Sequence, residues 1–195
     1  MKYKFLITIL FALLVGILLF LAPLEKSLGS TMRYVYLHVS LIWTGSLAIV
    51  TGGLLGLSGS LLNRNEITKR SQSLGWIALG LYSAGILVSG LAAWYSWGRI
   101  QWSEPIYAVS GRIMLVVIMI QVLAILLPQY RWSGLLYLIP VAYLIKATAN
   151  IRMVMHPVDP IGNSGSIQIK LTFYVLTLLF AIWAGLMIWL SGRKP

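Results

Sequence analysis

Long apolar runs alternate along this chain with short segments that carry its charges, glycines and prolines. The apolar runs fall at about residues 5–24, 34–60, 74–97, 106–127, 133–149 and 169–191. A helix needs roughly 20 mostly apolar residues to cross a bilayer, so each run is long enough for one crossing. The pattern predicts an all-α membrane protein with six transmembrane helices, which we interpret as a single domain over residues 1–195.

The composition agrees with a membrane location. Of the 195 residues, 59% are hydrophobic and only 10% are charged, which is too little polar surface for a water-soluble protein of this size. We therefore expect a multi-pass protein of the cell membrane, in contact with the lipid bilayer. No small-x-small cleavage site precedes Pro23, so the first run is interpreted as a retained helix. Small residues such as Gly56 and Gly85 predict close helix packing, and Pro140 predicts a kink in the fifth span.

The net charge of +11 does not indicate nucleic-acid binding, because the basic residues flank apolar spans, where they contact headgroups or set topology. Six crossings put both termini on one side, which we take as cytoplasmic. The inner side then carries Lys2, Lys4, Arg64, Lys69, Arg70, Arg131, Arg193 and Lys194. The outer side carries Lys26, Arg33, Arg99, Arg152 and Lys170, with Arg112 and Lys146 near outer helix ends.

The two histidines are the candidate metal ligands. His38 begins the second span and His156 follows the fifth, so six crossings place both on the outer face. A neutral imidazole can bind iron or zinc. Zinc usually takes three or four protein ligands, and the absence of cysteine excludes thiolate sites. One haem with two axial histidines remains possible, as does an interfacial role without metal.

Aromatic and cationic residues accompany the histidines. Trp94, Trp97 and Trp102 lie near the third outer boundary, where they would anchor headgroups or form an apolar shelf for a planar ligand such as a porphyrin. A basic rim could pair with the propionates of haem, or its members could extend to lipid headgroups; its residues are Arg33, Arg99, Arg112, Lys146 and Arg152.

Three segments together resemble the CcmC branch of the cytochrome c biogenesis proteins. Arg33-Tyr-Val-Tyr-Leu-His38-Val-Ser-Leu-Ile-Trp43 is similar to that family's Arg-x-x-Tyr-x-His-Val-Pro-x-x-Trp stretch, with serine in place of proline. Trp97-Gly-Arg-Ile-Gln-Trp102-Ser-Glu104-Pro resembles a divergent form of its tryptophan-rich signature, Trp-Gly-x-x-Trp-x-Trp-Asp-Pro. Arg152-Met-Val-Met-His156-Pro is similar to its second histidine motif.

The resemblance covers nearly the whole chain and implies a divergent, CcmC-like membrane protein that handles haem. It implies His38 and His156 as axial ligands of haem b at the outer face, Trp97, Trp102 and Trp94 as part of the platform, and Glu104 near the site. The expected activity is haem delivery to a periplasmic haem chaperone or another cytochrome c maturation protein, not enzymatic catalysis. Two alternatives stay open: a single-haem b-type cytochrome subunit that exchanges electrons with quinol, and a pigment-free accessory subunit of a membrane complex.

Overall fold

Seven α-helices, and no β-strand, make up the part of the chain that the computed structural model describes, which is residues 2–127, 129–151 and 159–191. The helices are α1 (Lys2–Leu21), α2 (Met32–Leu61), α3 (Asn65–Trp97), α4 (Pro105–Leu126), α5 (Tyr130–Leu136), α6 (Leu138–Ala149) and α7 (Ile167–Ser191). Six helical segments are long and apolar enough to cross a membrane. The all-α class and the six spans predicted from the sequence are therefore confirmed.

The fifth span consists of two helices, with Tyr137 at the break between α5 and α6. Pro140 lies in the first turn of α6. A proline has no amide hydrogen, and its ring collides with the carbonyl four residues earlier, here that of Leu136. The interruption lies where this missing hydrogen bond would have been, and the kink expected at this point stays a prediction.

Two helices extend beyond their apolar runs. The helix α2 has 30 residues and α3 has 33, so α2 is about 45 Å long, more than the hydrocarbon core requires. The additional first turns of α3, over residues 65–73, contain Glu66, Lys69, Arg70 and Gln72. These residue types have high helix propensity, so the helix continues where the apolar pattern has ended.

The described residues form two compact units. Unit 1 takes its described residues from Met1–Thr44, Ala84–Trp102 and His156–Pro195, and contains α1, α7, the first part of α2 and the last part of α3. Unit 2 takes its described residues from Gly45–Ser83 and Ser103–Met155, and contains α4, α5, α6 and the remaining parts of α2 and α3.

Aromatic packing joins α1 to α7 in unit 1. The ring of Phe11 lies edge-on to Phe180, with 5.1 Å between centroids, and stacks on Trp183 at 5.5 Å. The indole nitrogen of Trp183 donates a 3.3 Å hydrogen bond to the Thr8 hydroxyl. At the end of the pair, Lys4 Nζ donates to Ser191 Oγ over 3.2 Å. The N-terminal and C-terminal helices are thus antiparallel neighbours.

Close approaches at glycine determine the packing of unit 2. A Cβ atom added to Gly56 would lie 2.5 Å from the carbonyl oxygen of Gly134 in α5. The hydroxyl of Ser71 in α3 donates a 2.6 Å hydrogen bond to the carbonyl of Gly52 in α2. At Gly56 there is no room for a side chain, so this glycine permits the close approach of α5, while the Ser71 hydrogen bond joins α3 to α2. Both contacts fit the close helix packing predicted from the small residues.

Candidate functional site

Hydrogen bonds within the connection between α1 and α2 fix the position at which α2 begins. The carboxylate of Glu25 accepts hydrogen bonds from the amides of Ser27, at 2.8 Å, and Leu28, at 3.0 Å, and from the Ser27 hydroxyl. The hydroxyl bond, followed by the Leu28 amide, lowers the pKa of Glu25, because these bonds stabilise the ionised form. Gly29 donates to the Glu25 carbonyl at a φ of +51°, a conformation that glycine adopts readily.

Two residues of the first histidine motif fasten α2 to the preceding segment. The buried Tyr36 hydroxyl donates a 3.0 Å hydrogen bond to the carbonyl of Pro23. Arg33 Nη2 donates to the carbonyl of Phe20 at the end of α1, and its guanidinium lies 5.3 Å from the Phe20 ring centroid. The Arg33 Nε atom is buried and has no hydrogen-bond partner among the described residues. It therefore fits an anionic acceptor that those residues do not supply.

The tautomer of His38 follows from a backbone hydrogen bond. His38 lies in the second turn of α2, partly buried, and its Nδ1 is 2.9 Å from the carbonyl oxygen of Tyr34. A carbonyl oxygen can only accept, so Nδ1 carries the hydrogen. In the neutral ring the lone pair is then on Nε2, the nitrogen that a metal would bind, and the carbonyl holds the ring orientation.

An aromatic contact brings the end of α3 to the same turns of α2. Tyr34 stacks on Tyr95 with 5.0 Å between ring centroids and 11° between planes. Tyr95 is flanked in the sequence by Trp94, which is 56% exposed, and is followed two residues later by Trp97, which is 51% exposed. The structure therefore places this aromatic segment beside the helix that carries His38, within unit 1.

Gly98 ends α3 and turns the chain away from it. Its φ is +70°, and its amide donates a 2.8 Å hydrogen bond to the carbonyl of Trp94. This is the arrangement in which glycine terminates helices. The turn leads to Trp102, which is 76% exposed. In the Trp97-Gly98 pair, the tryptophan thus supplies an exposed indole and the glycine supplies the positive φ with which α3 ends.

The remaining predicted residues fall in different parts of the structure. Arg99 is exposed in unit 1, whereas Glu104, Arg112 and Lys146 belong to unit 2. Glu104 precedes α4 and is buried, and the other two are exposed on α4 and α6. Their assignment to one site with His38 stays a prediction. The predictions for Arg152 and His156 lie outside the described residues.

A buried polar pair in unit 2 was not expected from the sequence. Gln121 in α4 has no exposed surface; its Nε2 donates a 3.0 Å hydrogen bond to the carbonyl of Gln72, and its Oε1 accepts one of 2.9 Å from the Tyr137 hydroxyl. The available signal was a single amide side chain within an apolar span, because such groups are costly in lipid unless they are paired.

No cluster of three or more histidine, cysteine, aspartate or glutamate side chains that could hold a metal ion occurs among the described residues. A haem brings four nitrogen ligands of its own, so it requires only one or two from the protein. The site residues that can be described are one metal-competent imidazole, a basic residue with an unpaired donor and exposed indoles. The sequence matches no protein-family model and no curated protein.

Proposed function

We propose that this protein is a CcmC-like haem-handling protein of cytochrome c maturation. In this proposal His38 and His156 hold haem b at the outer face of the membrane, and the protein passes the haem to a periplasmic haem chaperone or another maturation protein. Haem is the cargo of the protein, and its covalent bonds stay unchanged during transfer. The described residues of unit 1 would hold it through one imidazole, an indole shelf and two members of the basic rim, Arg33 and Arg99.

The observation that carries the proposal is the hydrogen bond from His38 Nδ1 to the Tyr34 carbonyl. It selects the tautomer whose Nε2 lone pair can bind iron, and second-shell bonds of this kind are common among metal-binding histidines. The orphan Nε of Arg33, about one and a half turns before His38 on α2, supports an anionic group close by. A haem propionate has the charge and the acceptor oxygens that this atom lacks.

The exposed indoles of Trp94, Trp97 and Trp102 give further support. A porphyrin is flat and largely apolar, and indole rings offer it dispersion contacts and burial of apolar area. The same indoles would otherwise contact headgroups. We expect their replacement by alanine to weaken haem retention without removing the histidine-bound spectrum, because the shelf contributes area and the imidazoles contribute coordination.

The visible spectrum of the protein purified in detergent from haem-replete cells tests the proposal. We expect b-type absorption from a low-spin, two-histidine haem. His38→Ala and His156→Ala should each reduce it, the double variant should abolish it, and added imidazole should partly restore it in His38→Ala. Lys26→Ala, a change at an exposed position of the α1–α2 connection, should leave it unaltered. A colourless wild-type protein, or unchanged absorption in the double variant, would contradict the proposal.

The pH dependence of haem retention provides a second readout. A protonated imidazole has no lone pair for iron, so haem should be retained at neutral pH and lost as acidification protonates the ligands. Release to apomyoglobin, used as a general haem acceptor, separates delivery from electron transfer. Rapid transfer supports a delivery protein, whereas a haem that cycles reversibly between redox states but never leaves identifies a cytochrome subunit.

A further inference from the structure

Three arginines at one end of unit 2 have no acidic partner among the residues that the structure describes. Arg64 lies between α2 and α3, Arg70 in the second turn of α3 and Arg131 in the first turn of α5, and all three are exposed. Glu66 is the only acidic residue between positions 26 and 103 of the sequence, and its carboxylate is 3.3 Å from Lys69 Nζ. Within the described part of the chain, none of the three arginines forms an ion pair.

Backbone contacts hold two of these arginines close together. The hydroxyl of Ser60, in the last turn of α2, donates a 2.6 Å hydrogen bond to the carbonyl of Arg131. The amide of Arg64 donates a 2.9 Å hydrogen bond to the carbonyl of Gly59. Arg64 and Arg131 are thus both hydrogen-bonded to consecutive residues of one helical turn. The backbones of the two arginines therefore lie close together, and two positive charges on neighbouring segments attract an anion more strongly than one does.

Exposed apolar side chains surround the same turns. Leu61 is 72% exposed, Leu62 is 61% exposed and Trp132 is 57% exposed. Each is within two residues of Ser60 or Arg131, so cationic and apolar surfaces adjoin. A free phosphate would use the cations alone. A phospholipid would use both surfaces, because its headgroup pairs with guanidinium groups while its acyl chains cover leucine and tryptophan.

We propose that Arg64 and Arg131 form a binding site for the headgroup of an anionic phospholipid at this end of unit 2, and that the positive charge of Arg70, in the second turn of α3, adds to the attraction. Guanidinium groups suit the occupant because their planar donors bind phosphate oxygens in pairs. The site does not depend on the haem proposal, since it shares no residue with it and its test does not require haem. Each basic residue near a membrane surface strengthens attraction to anionic lipid several-fold.

The test compares lipid binding by the full-length protein in detergent, with native mass spectrometry to count bound lipids and thermal unfolding to measure their effect. The probes are phosphatidylglycerol, phosphatidylcholine and inorganic phosphate. We expect phosphatidylglycerol to bind and to raise the unfolding temperature, and phosphatidylcholine and inorganic phosphate to do neither. The effect should weaken as salt is added, because the charges are exposed.

The variant Arg64→Gln/Arg131→Gln should lower the apparent affinity for phosphatidylglycerol by about tenfold or more. Lys26→Gln/Lys170→Gln is the matched control, since it removes two positive charges at other positions and should retain wild-type affinity. Equal binding of phosphatidylcholine, an equal effect of inorganic phosphate or an equal loss in the control would overturn the proposal. The salt titration and the lipid comparison use the wild-type protein, so they can still overturn the proposal if the variant misfolds.

Discussion

Gly98 is a residue at which a side chain would carry a conformational cost without a steric one. No atom lies within 4 Å of an added Cβ there, but the φ of +70° disfavours one. We expect Gly98→Ala to destabilise the protein by about 1 kcal/mol, measured as a lower unfolding temperature in detergent. Gly80→Ala is the control, because it too has open space and lies within α3. That variant should keep or raise the unfolding temperature, and an equal loss in both would refute the conformational cause.

The hydroxyl of Tyr137 serves a single buried acceptor, Gln121 Oε1. Tyr137→Phe would leave that oxygen without this donor inside a buried, apolar surrounding. We expect a loss of about 1 to 2 kcal/mol in the free energy of unfolding, measured by denaturant titration of the solubilised protein. Tyr174→Phe removes a hydroxyl from a side chain that is 62% exposed and should have no effect. An unchanged stability in Tyr137→Phe would show that the pair contributes nothing net.

At the scale of elements, the approach of α5 to α2 depends on Gly56. Gly56→Ala would place a methyl group 2.5 Å from the Gly134 carbonyl, so the helices would have to separate. Overpacking of this kind costs about 1 to 3 kcal/mol, which thermal unfolding should detect. Gly185→Ala in α7, where an added Cβ meets nothing within 4 Å, is the matched control. Similar unfolding temperatures for the two variants would mean that α5 moves without cost.

The lengths and continuity of the elements follow from different causes. The extra turns of α3 form because their residues have high helix propensity. The break before α6 occurs because of the position of Pro140. Both causes are local properties of the sequence. The apolar runs set the number of spans well, since burial in lipid requires about 20 apolar residues wherever the helix packs. The apolar runs predict the ends of the helices poorly, because polar residues can continue a helix beyond the membrane into water.

At the scale of the whole molecule, six helical segments are long and apolar enough to cross a membrane, and the direction in which they cross is a prediction. Because the chain contains no cysteine, single-cysteine variants report topology without background. We expect Lys26→Cys to react with a membrane-impermeant maleimide added outside intact cells, and Asn65→Cys to react only after the membrane is opened. The α2 span separates these two positions. The reverse result would invert the orientation, and labelling of both from outside would mean that α2 does not cross.

The candidate site was only partly accessible from sequence. The motif around His38 singled out the imidazole and Arg33, and the tryptophan-rich segment singled out exposed indoles. Neither pattern indicated that the Tyr34 carbonyl fixes the imidazole tautomer or that Tyr95 stacks on Tyr34. The first depends on the rotamer of one side chain. The second depends on which turns of two antiparallel helices face each other, a choice that side-chain packing makes.

From the sequence alone came the helical class, the six crossings, the uneven distribution of charge and the histidine and tryptophan candidates. These depend on hydropathy and residue type, which act locally along the chain whatever the fold. Only the tertiary structure decided three contacts. Gln121 is hydrogen-bonded to Tyr137, Ser60 is hydrogen-bonded to the carbonyl of Arg131, and the backbone of Gly134 lies close to Gly56. Such contacts join residues distant in the sequence, and they exist only where helices meet closely enough for hydrogen bonds and steric fit to select a partner.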